Sequence, residues 1–160
     1  MWDGEDHAAP QLCVMSLDIE KMSDDWFEKE QLHFAAQDGD LNRVKDLIEK
    51  GFPINRFDEI DKTPLHYAVE EEHFIIVNYL IKSGANVNAH NENNAGNTPL
   101  RQVAESCSVE MAEILIKAGA DPIIPGWMQI TALDKASKRK KHEGKRVYQL
   151  LKEATKMPKT

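Results

Sequence analysis

The 160-residue chain has little cysteine and no long apolar run. Its two cysteines, Cys13 and Cys107, form no CxxC pair and no Cys/His cluster. They do not make a disulfide scaffold, and they read as the reduced thiols of an intracellular protein. Apolar runs such as Phe74-Ile75-Ile76-Val77 and Ile123-Ile124 are short, far below the roughly 20 residues that a membrane-spanning helix needs. The amino terminus is acidic (Asp3, Glu5, Asp6), and its apolar patch, Leu12-Cys13-Val14-Met15, is too short and wrongly flanked for a secretory signal. A cytoplasmic location is therefore expected.

What the chain does have is an ordinary composition, 41% hydrophobic, 29% charged and 7% aromatic, which leaves room for one soluble unit. A unit of this size buries roughly 68–70% of its unfolded surface and needs neither disulfide nor metal to be stable. The net charge of −7 hides a division. Residues 1–30 hold nine acids against Lys21 and Lys29, residues 31–130 hold fifteen against eight bases, and residues 131–160 hold three against ten. An acidic body thus carries a basic tail, a balance that argues against the whole protein binding nucleic acid, where phosphate neutralisation dominates.

The chain repeats itself. Leu32-His33-Phe34-Ala35-Ala36 recurs as Leu65-His66-Tyr67-Ala68-Val69, as Leu100-Arg101-Gln102-Val103-Ala104 and as Leu133-Asp134-Lys135-Ala136, with steps of 33, 35 and 33 residues. Two further tracks keep step: Leu47-Ile48, Leu80-Ile81, Leu115-Ile116 and Leu150-Leu151, then Lys50-Gly51, Ser83-Gly84 and Ala118-Gly119. A fixed period of this size marks a solenoid.

Within a copy the spacing predicts two short helices. Leu65, Ala68 and Val69 share one helical face, and Ile76, Val77, Leu80 and Ile81 make a second stripe. Thr63-Pro64 and Thr98-Pro99 supply start signals, a capping hydroxyl followed by a proline whose missing N–H is not needed in the first turn. Gly51, Gly84 and Gly119 stand where a helix ends in a left-handed residue. Polar turns such as Asn88-Ala89-His90-Asn91-Glu92-Asn93-Asn94 join one pair to the next.

Thr63-Pro64-Leu65-His66-Tyr67-Ala68 and Gly84-Ala85-Asn86-Val87-Asn88-Ala89 resemble the signature of ankyrin repeats, with their period of about 33 residues and T-P-L-H-x-A motif. The resemblance covers residues 26–155 and implies an all-α solenoid of four stacked repeats, at 26–57, 58–90, 91–125 and 126–155, inside a domain 23–157. The arrangement, with Pro125-Gly126-Trp127-Met128 in its last linker, is similar to small stand-alone ankyrin proteins common in bacteria. Residues 1–22 fit no repeat and read as a disordered or tag-derived extension. The first copy has Glu30-Gln31 and the last Thr131-Ala132 in place of Thr-Pro, as capping repeats do. The fourth copy is expected to stretch its inter-helix loop from Lys138 to Lys145.

No nucleophile with base and orienting group, no spaced metal ligands and no phosphate-binding glycine loop is found. His33 and His66 recur at one repeat position, and in the family that histidine bonds neighbouring backbone. Cys107, between Ser106 and Ser108, is the sole candidate for an enzyme and reads as an inert small residue, since no neighbouring charge in sequence would lower its pKa. His90 and Glu92 could approach each other, but a metal site needs more. The basic run 138–146 reads as a solvated loop and capping helix, with nucleic-acid or anionic-lipid attraction as the functional alternatives.

The resemblance implies a concave binding side made of the loop fingers and first helices. Carried over copy by copy, its contact positions are Trp26, Phe27, Lys29, Gln37 and Asp38; Glu59, Ile60, Lys62, Glu70 and Glu71; Asn94, Ala95, Asn97, Glu105 and Ser106; and Trp127, Met128, Ile130, Lys138 and Arg139. The carboxylates make the middle acidic, and the aromatic and aliphatic residues offer anchors of the kind that concentrate interface energy. Burial between repeats is the competing reading for Trp26 and Trp127. The expectation is a monomeric cytoplasmic adaptor or scaffold that binds a protein with a basic patch, without metal or cofactor and without a nucleic-acid or membrane partner. The alternative is an inhibitor or immunity-like protein that occludes a basic toxin or enzyme.

Overall fold

Three of the four inner helices begin where the sequence supplies a hydroxyl, at Thr63, Thr98 and Thr131. Thr98 Oγ1 accepts the N–H of Arg101 at 3.1 Å, and Thr131 Oγ1 accepts that of Asp134 at 3.1 Å. The computed structural model describes residues 29–94 and 96–157. Its helices form four pairs: α1 (Gln31–Asp38) with α2 (Leu41–Glu49), α3 (Pro64–Glu70) with α4 (Phe74–Lys82), α5 (Pro99–Val103) with α6 (Val109–Lys117), and α7 (Ala132–Ser137) with α8 (His142–Ala154). A single 3-10 turn, Trp127–Gln129, precedes α7, and no strand occurs among the described residues. The chain divides into two units, Met1–Gln31 and Leu32–Thr160. Only residues 29–31 of the first are described, and the extension 1–22 lies outside the described residues.

The repeating apolar tracks become the core of the second unit. Leu32, Leu65 and Leu100 of the inner helices and Leu47, Leu80 and Leu115 of the outer ones are buried. Each such leucine is worth roughly 1.5–3 kcal/mol relative to exposure. Helix α3 packs on α5, α5 on α7, α2 on α4 and α6 on α8, so each pair covers the apolar face of the next. Ala35, Ala68 and Ala136, all fully or almost fully buried, keep their inner helices thin enough for that approach. Gly51, Gly84 and Gly119 close the outer helices with φ of 87°, 99° and 93°, where a side chain would be strained.

Successive pairs are also sewn together by polar side chains. Asn55 Nδ2 donates to Gly84 O at 3.2 Å while Asn55 Oδ1 accepts the N–H of Asn86 at 2.7 Å. One copy later, Asn88 Nδ2 donates to Gly119 O at 3.0 Å and its Oδ1 accepts the N–H of Asp121 at 2.8 Å. Each amide satisfies two backbone groups of the following repeat, at a turn that no helix ladder reaches.

The fourth pair departs from the expected loop. Only residues 138–141 separate α7 from α8, because α8 starts at His142 and takes in the rest of the basic run. Eighteen residues separate Leu133 from Leu151, against fifteen between Leu100 and Leu115, and the buried residue is Leu151, with Leu150 only partly covered. Gly144 makes the closer fit: a Cβ there would lie 2.3 Å from Arg139 Cβ, so the first turn of α8 can sit against the loop only as glycine.

Candidate protein-binding surface

The loops that precede the inner helices are shaped from within. In the loop before α3, Asp58 Oδ1 accepts the N–H groups of Ile60 at 2.9 Å and Lys62 at 2.8 Å, and its Oδ2 accepts the Tyr67 hydroxyl at 2.7 Å. Asp61 takes a φ of 60°. This tight turn leaves Glu59 exposed and Ile60 65% exposed. The next loop is tied back to it, with Asn91 Nδ2 donating to Asp61 Oδ1 at 2.6 Å and Asn94 Nδ2 to Asp61 Oδ2.

The loop before α7 presents the largest apolar group. Met128 and Gln129 both hold positive φ, 58° and 59°, an uncommon state for residues with side chains. The turn closes through Gly126 N–H to Ile130 O at 3.1 Å and Gln129 N–H to Gly126 O at 3.0 Å. Trp127 and Met128 are each 68% exposed, so the packing alternative for Trp127 does not hold. Arg101, itself buried, props this loop: its Nε donates to Ile130 O at 2.6 Å and its Nη2 to Trp127 O at 3.3 Å, with Nη1 on Asn97 Oδ1. Burial pulls the Arg101 pKa down from its usual value.

Arg101 stands at the repeat position of the two histidines, and all three do the same work. His33 Nε2 bonds Arg56 O at 2.9 Å, and His66 Nε2 donates to Asn97 O at 2.8 Å. His66 Nδ1 accepts the Thr63 N–H at 3.0 Å and lies 2.8 Å from Thr63 Oγ1. Burial holds His66 down from 6.5 to about 4, so it is neutral at pH 7. Each of these side chains fastens an inner helix to the loop that leads into the following one. In the last copy Asp134 takes this position and turns back on its own start, bonding Thr131 N–H at 2.9 Å and Thr131 Oγ1 at 2.7 Å. Those bonds hold its carboxyl below the usual range.

The sequence-chosen contact residues fall into three groups. Gln37, Asp38, Glu59, Ile60, Glu71, Asn94, Glu105, Ser106, Trp127, Met128 and Lys138 are exposed, as is Lys29. Lys62, Glu70, Asn97, Ile130 and Arg139 are engaged within the fold. Lys62 Nζ lies 2.6 Å from Glu70 Oε2 and 5.0 Å from the Tyr67 ring centroid, and Glu70 Oε2 also accepts from Gln102 Nε2 at 2.8 Å. Arg139 is turned inward, its Nη1 donating to Cys107 O at 2.9 Å. Trp26, Phe27 and Ala95 lie outside the described residues.

Two residues that sequence reasoning missed complete the picture. Glu72, at φ 54°, accepts the Ser108 N–H at 2.5 Å and so joins the inter-helix turns of the second and third pairs. Arg101 reads in sequence only as a departure from histidine. Cys107 is buried, and burial raises its thiol pKa despite the nearby Arg139 guanidinium. His90 Nε2 lies 3.7 Å from Glu92 Oε1, and no group of three potential metal ligands occurs among the described residues. No helix among the described residues is long and apolar enough to cross a membrane.

Four helix pairs, the first three each closed by a left-handed glycine and tied to the next by asparagine, histidine or arginine, define a helical repeat protein. The chain belongs to the ankyrin-repeat family: the model for ankyrin repeats in three copies matches residues 5–91 and 32–126. Helices α7 and α8 lie beyond the matched residues. The chain is 36% identical over 90 residues to the ankyrin repeat and KH domain-containing protein mask-1 of Caenorhabditis elegans, covering 56% of this chain and 3% of that protein. It is 36% identical over 91 residues to the palmitoyltransferase Hip14 of Drosophila melanogaster, 56% of this chain and 14% of that one. With ankyrin repeat domain-containing protein 40 of Homo sapiens it shares 41% identity over 59 residues, 36% of this chain and 16% of that protein. The chain thus spans only a small part of each relative. Ankyrin repeats generally mediate protein–protein interaction, and the family is typically non-enzymatic.

Proposed function

We propose that this chain is a cytoplasmic adaptor or scaffold that binds one partner protein on the loop tips and inner helices, using Ile60, Trp127 and Met128 as anchors and Glu59, Glu71 and Glu105 as the charged field. The observation that carries this reading is the exposure of Trp127 and Met128, 68% each, on a turn that two non-glycine residues hold at positive φ and a buried arginine supports. Folding alone favours burying a tryptophan, so holding one in water points to a use outside the chain. The acidic middle fits a basic patch on the partner, and it also favours the second reading, an inhibitor that covers a basic enzyme or toxin.

The test starts with an affinity pull-down from native cytoplasm, followed by binding measurements on the recovered partner. Trp127→Ala is expected to weaken binding by about 2 kcal/mol, and Glu71→Lys with Glu105→Lys to weaken it further while melting stays within a few degrees. Glu71 and Glu105 are chosen because neither forms an ion pair among the described residues, whereas Glu70 supports Lys62 and Gln102. Unchanged affinity in both variants would overturn the proposal. Loss of a partner's enzymatic activity on binding would select the inhibitor over the adaptor.

A further inference from the structure

The terminal pair carries a second charged surface, opposite in sign to the first. Lys138, Lys140, Lys141, Lys145 and Arg146 are all exposed, and none forms an ion pair with a carboxylate among the described residues. They crowd the loop before α8 and its first turns, with Glu143 the one acid in that stretch. The fold does not call for this arrangement. Lys141 occupies the N-cap of α8 and makes no side-chain cap, since an ammonium accepts no hydrogen bond, and a cation at the positive end of a helix is electrostatically unfavourable. The outer helices α2 and α6 use Asp40 and Ser108 at the same place, each accepting an N–H of the first turn.

Beside Arg146, α6 and α8 part to leave a groove of about 290 Å³ lined by Val109, Leu150, Arg146, Gln149, Glu113 and Glu153. Val109 and Leu150 are half-buried there, so the groove offers apolar surface a turn away from the cations. We propose that this cap binds a short acidic segment of a partner protein, with its carboxylates on Lys140, Lys141, Lys145 and Arg146 and one apolar side chain between Val109 and Leu150.

Charge distribution favours a short peptide over a long polyanion or a lipid surface. Residues 31–130 carry fifteen acids against eight bases, and Glu110 and Glu113 stand on α6, next to the cap. At about 0.1 M salt the screening length is about 10 Å, comparable to the spacing of neighbouring helices. A nucleic acid or membrane reaching past the cap would meet the whole acidic body, whereas a segment of a few residues meets only Glu113 and Glu153 at the groove and places its own carboxylates among Lys140, Lys141, Lys145 and Arg146.

The test uses the full chain and a short fluorescein-labelled oligoglutamate with one central leucine, followed by fluorescence anisotropy at low salt. Saturable binding is expected. It should fall about tenfold or more in Lys140→Glu/Lys141→Glu/Lys145→Glu, and several-fold when the leucine is replaced by glutamate. If the charge reversals disturb α8, as read by circular dichroism, the three glutamines at these positions should still show a loss in the same direction. The Glu71→Lys/Glu105→Lys variant should bind the peptide no more weakly than the parent, which separates this surface from the one proposed above. Absence of saturable binding, or unchanged affinity in the folded lysine variants, would overturn the inference. So would tighter binding of an oligo(dT) of equal length or of phosphatidylserine vesicles.

Discussion

His66 should make the stability of this protein depend on pH in a predictable direction. The imidazole is fully buried, its Nδ1 accepts from Thr63 and its Nε2–H donates to Asn97 O, so the neutral ring already uses both nitrogens. Burial disfavours the charged ring, and the nearby Lys62 ammonium adds to this, so the folded-state pKa is lowered from 6.5 to about 4. Between those values the unfolded chain binds a proton that the folded chain excludes, so stability is complete above pH 6.5 and is lost as the pH falls toward 4. At about 1.4 kcal/mol per pH unit, that interval accumulates to about 3 kcal/mol, a large share of the roughly 5–15 kcal/mol that holds a domain together. Urea unfolding of the parent and of His66→Gln at several pH values between 7.5 and 4.5 reads the effect. The glutamine variant should start about 1–3 kcal/mol lower, from imperfect replacement of buried hydrogen bonds, but should lose about 2–3 kcal/mol less than the parent on acidification. Parallel losses in the two proteins would refute the reasoning, because carboxylate titration is common to both.

Two further perturbations probe the packing. Gly144→Ala, in the first turn of a helix, would ordinarily gain up to about 1 kcal/mol; here the new Cβ meets Arg139 Cβ at 2.3 Å, and a net loss of about 1–3 kcal/mol is expected in denaturant unfolding. A gain would show that the loop before α8 yields freely. Cys107 should be alkylated about a hundredfold more slowly in the folded chain than in urea, read on its own peptide by mass spectrometry, because its thiol is buried and its pKa raised. Rapid native labelling would reopen the reading of Cys107 as a reactive group.

The repeat was legible in sequence because burial at fixed helical spacing leaves a periodic record: Leu65, Leu80, Leu100 and Leu115 are all fully or almost fully buried, and Gly51, Gly84 and Gly119 all take the left-handed state. The contact surface was less legible. Arg139 looks in sequence like one of a row of exposed cations, yet its guanidinium reaches the Cys107 carbonyl 32 residues away. Arg101 looks like a lost histidine, but it replaces the ring by a longer reach to the Trp127 loop, and the space it fills exists because residue 126 is glycine, where a Cβ would lie 2.2 Å from Arg101 Cζ. The positive φ of Met128 and Gln129 has no signature in residue type at all.

From the sequence alone came the helix pairs, the starts of α3 and α5, the glycine stops of α2, α4 and α6, the family, and the split between an acidic body and a basic end, because these depend on local propensity, spacing and composition. The tertiary structure decided which charges face water. Arg139 was drawn inward onto the Cys107 carbonyl, while Glu70, Glu71 and the cations around α8 stayed exposed, Glu70 bonded to Gln102 of the next repeat. The reason is that a side chain's partner is chosen by what the next repeat brings within hydrogen-bonding distance, and in a stacked array that neighbour lies about one repeat away in the chain.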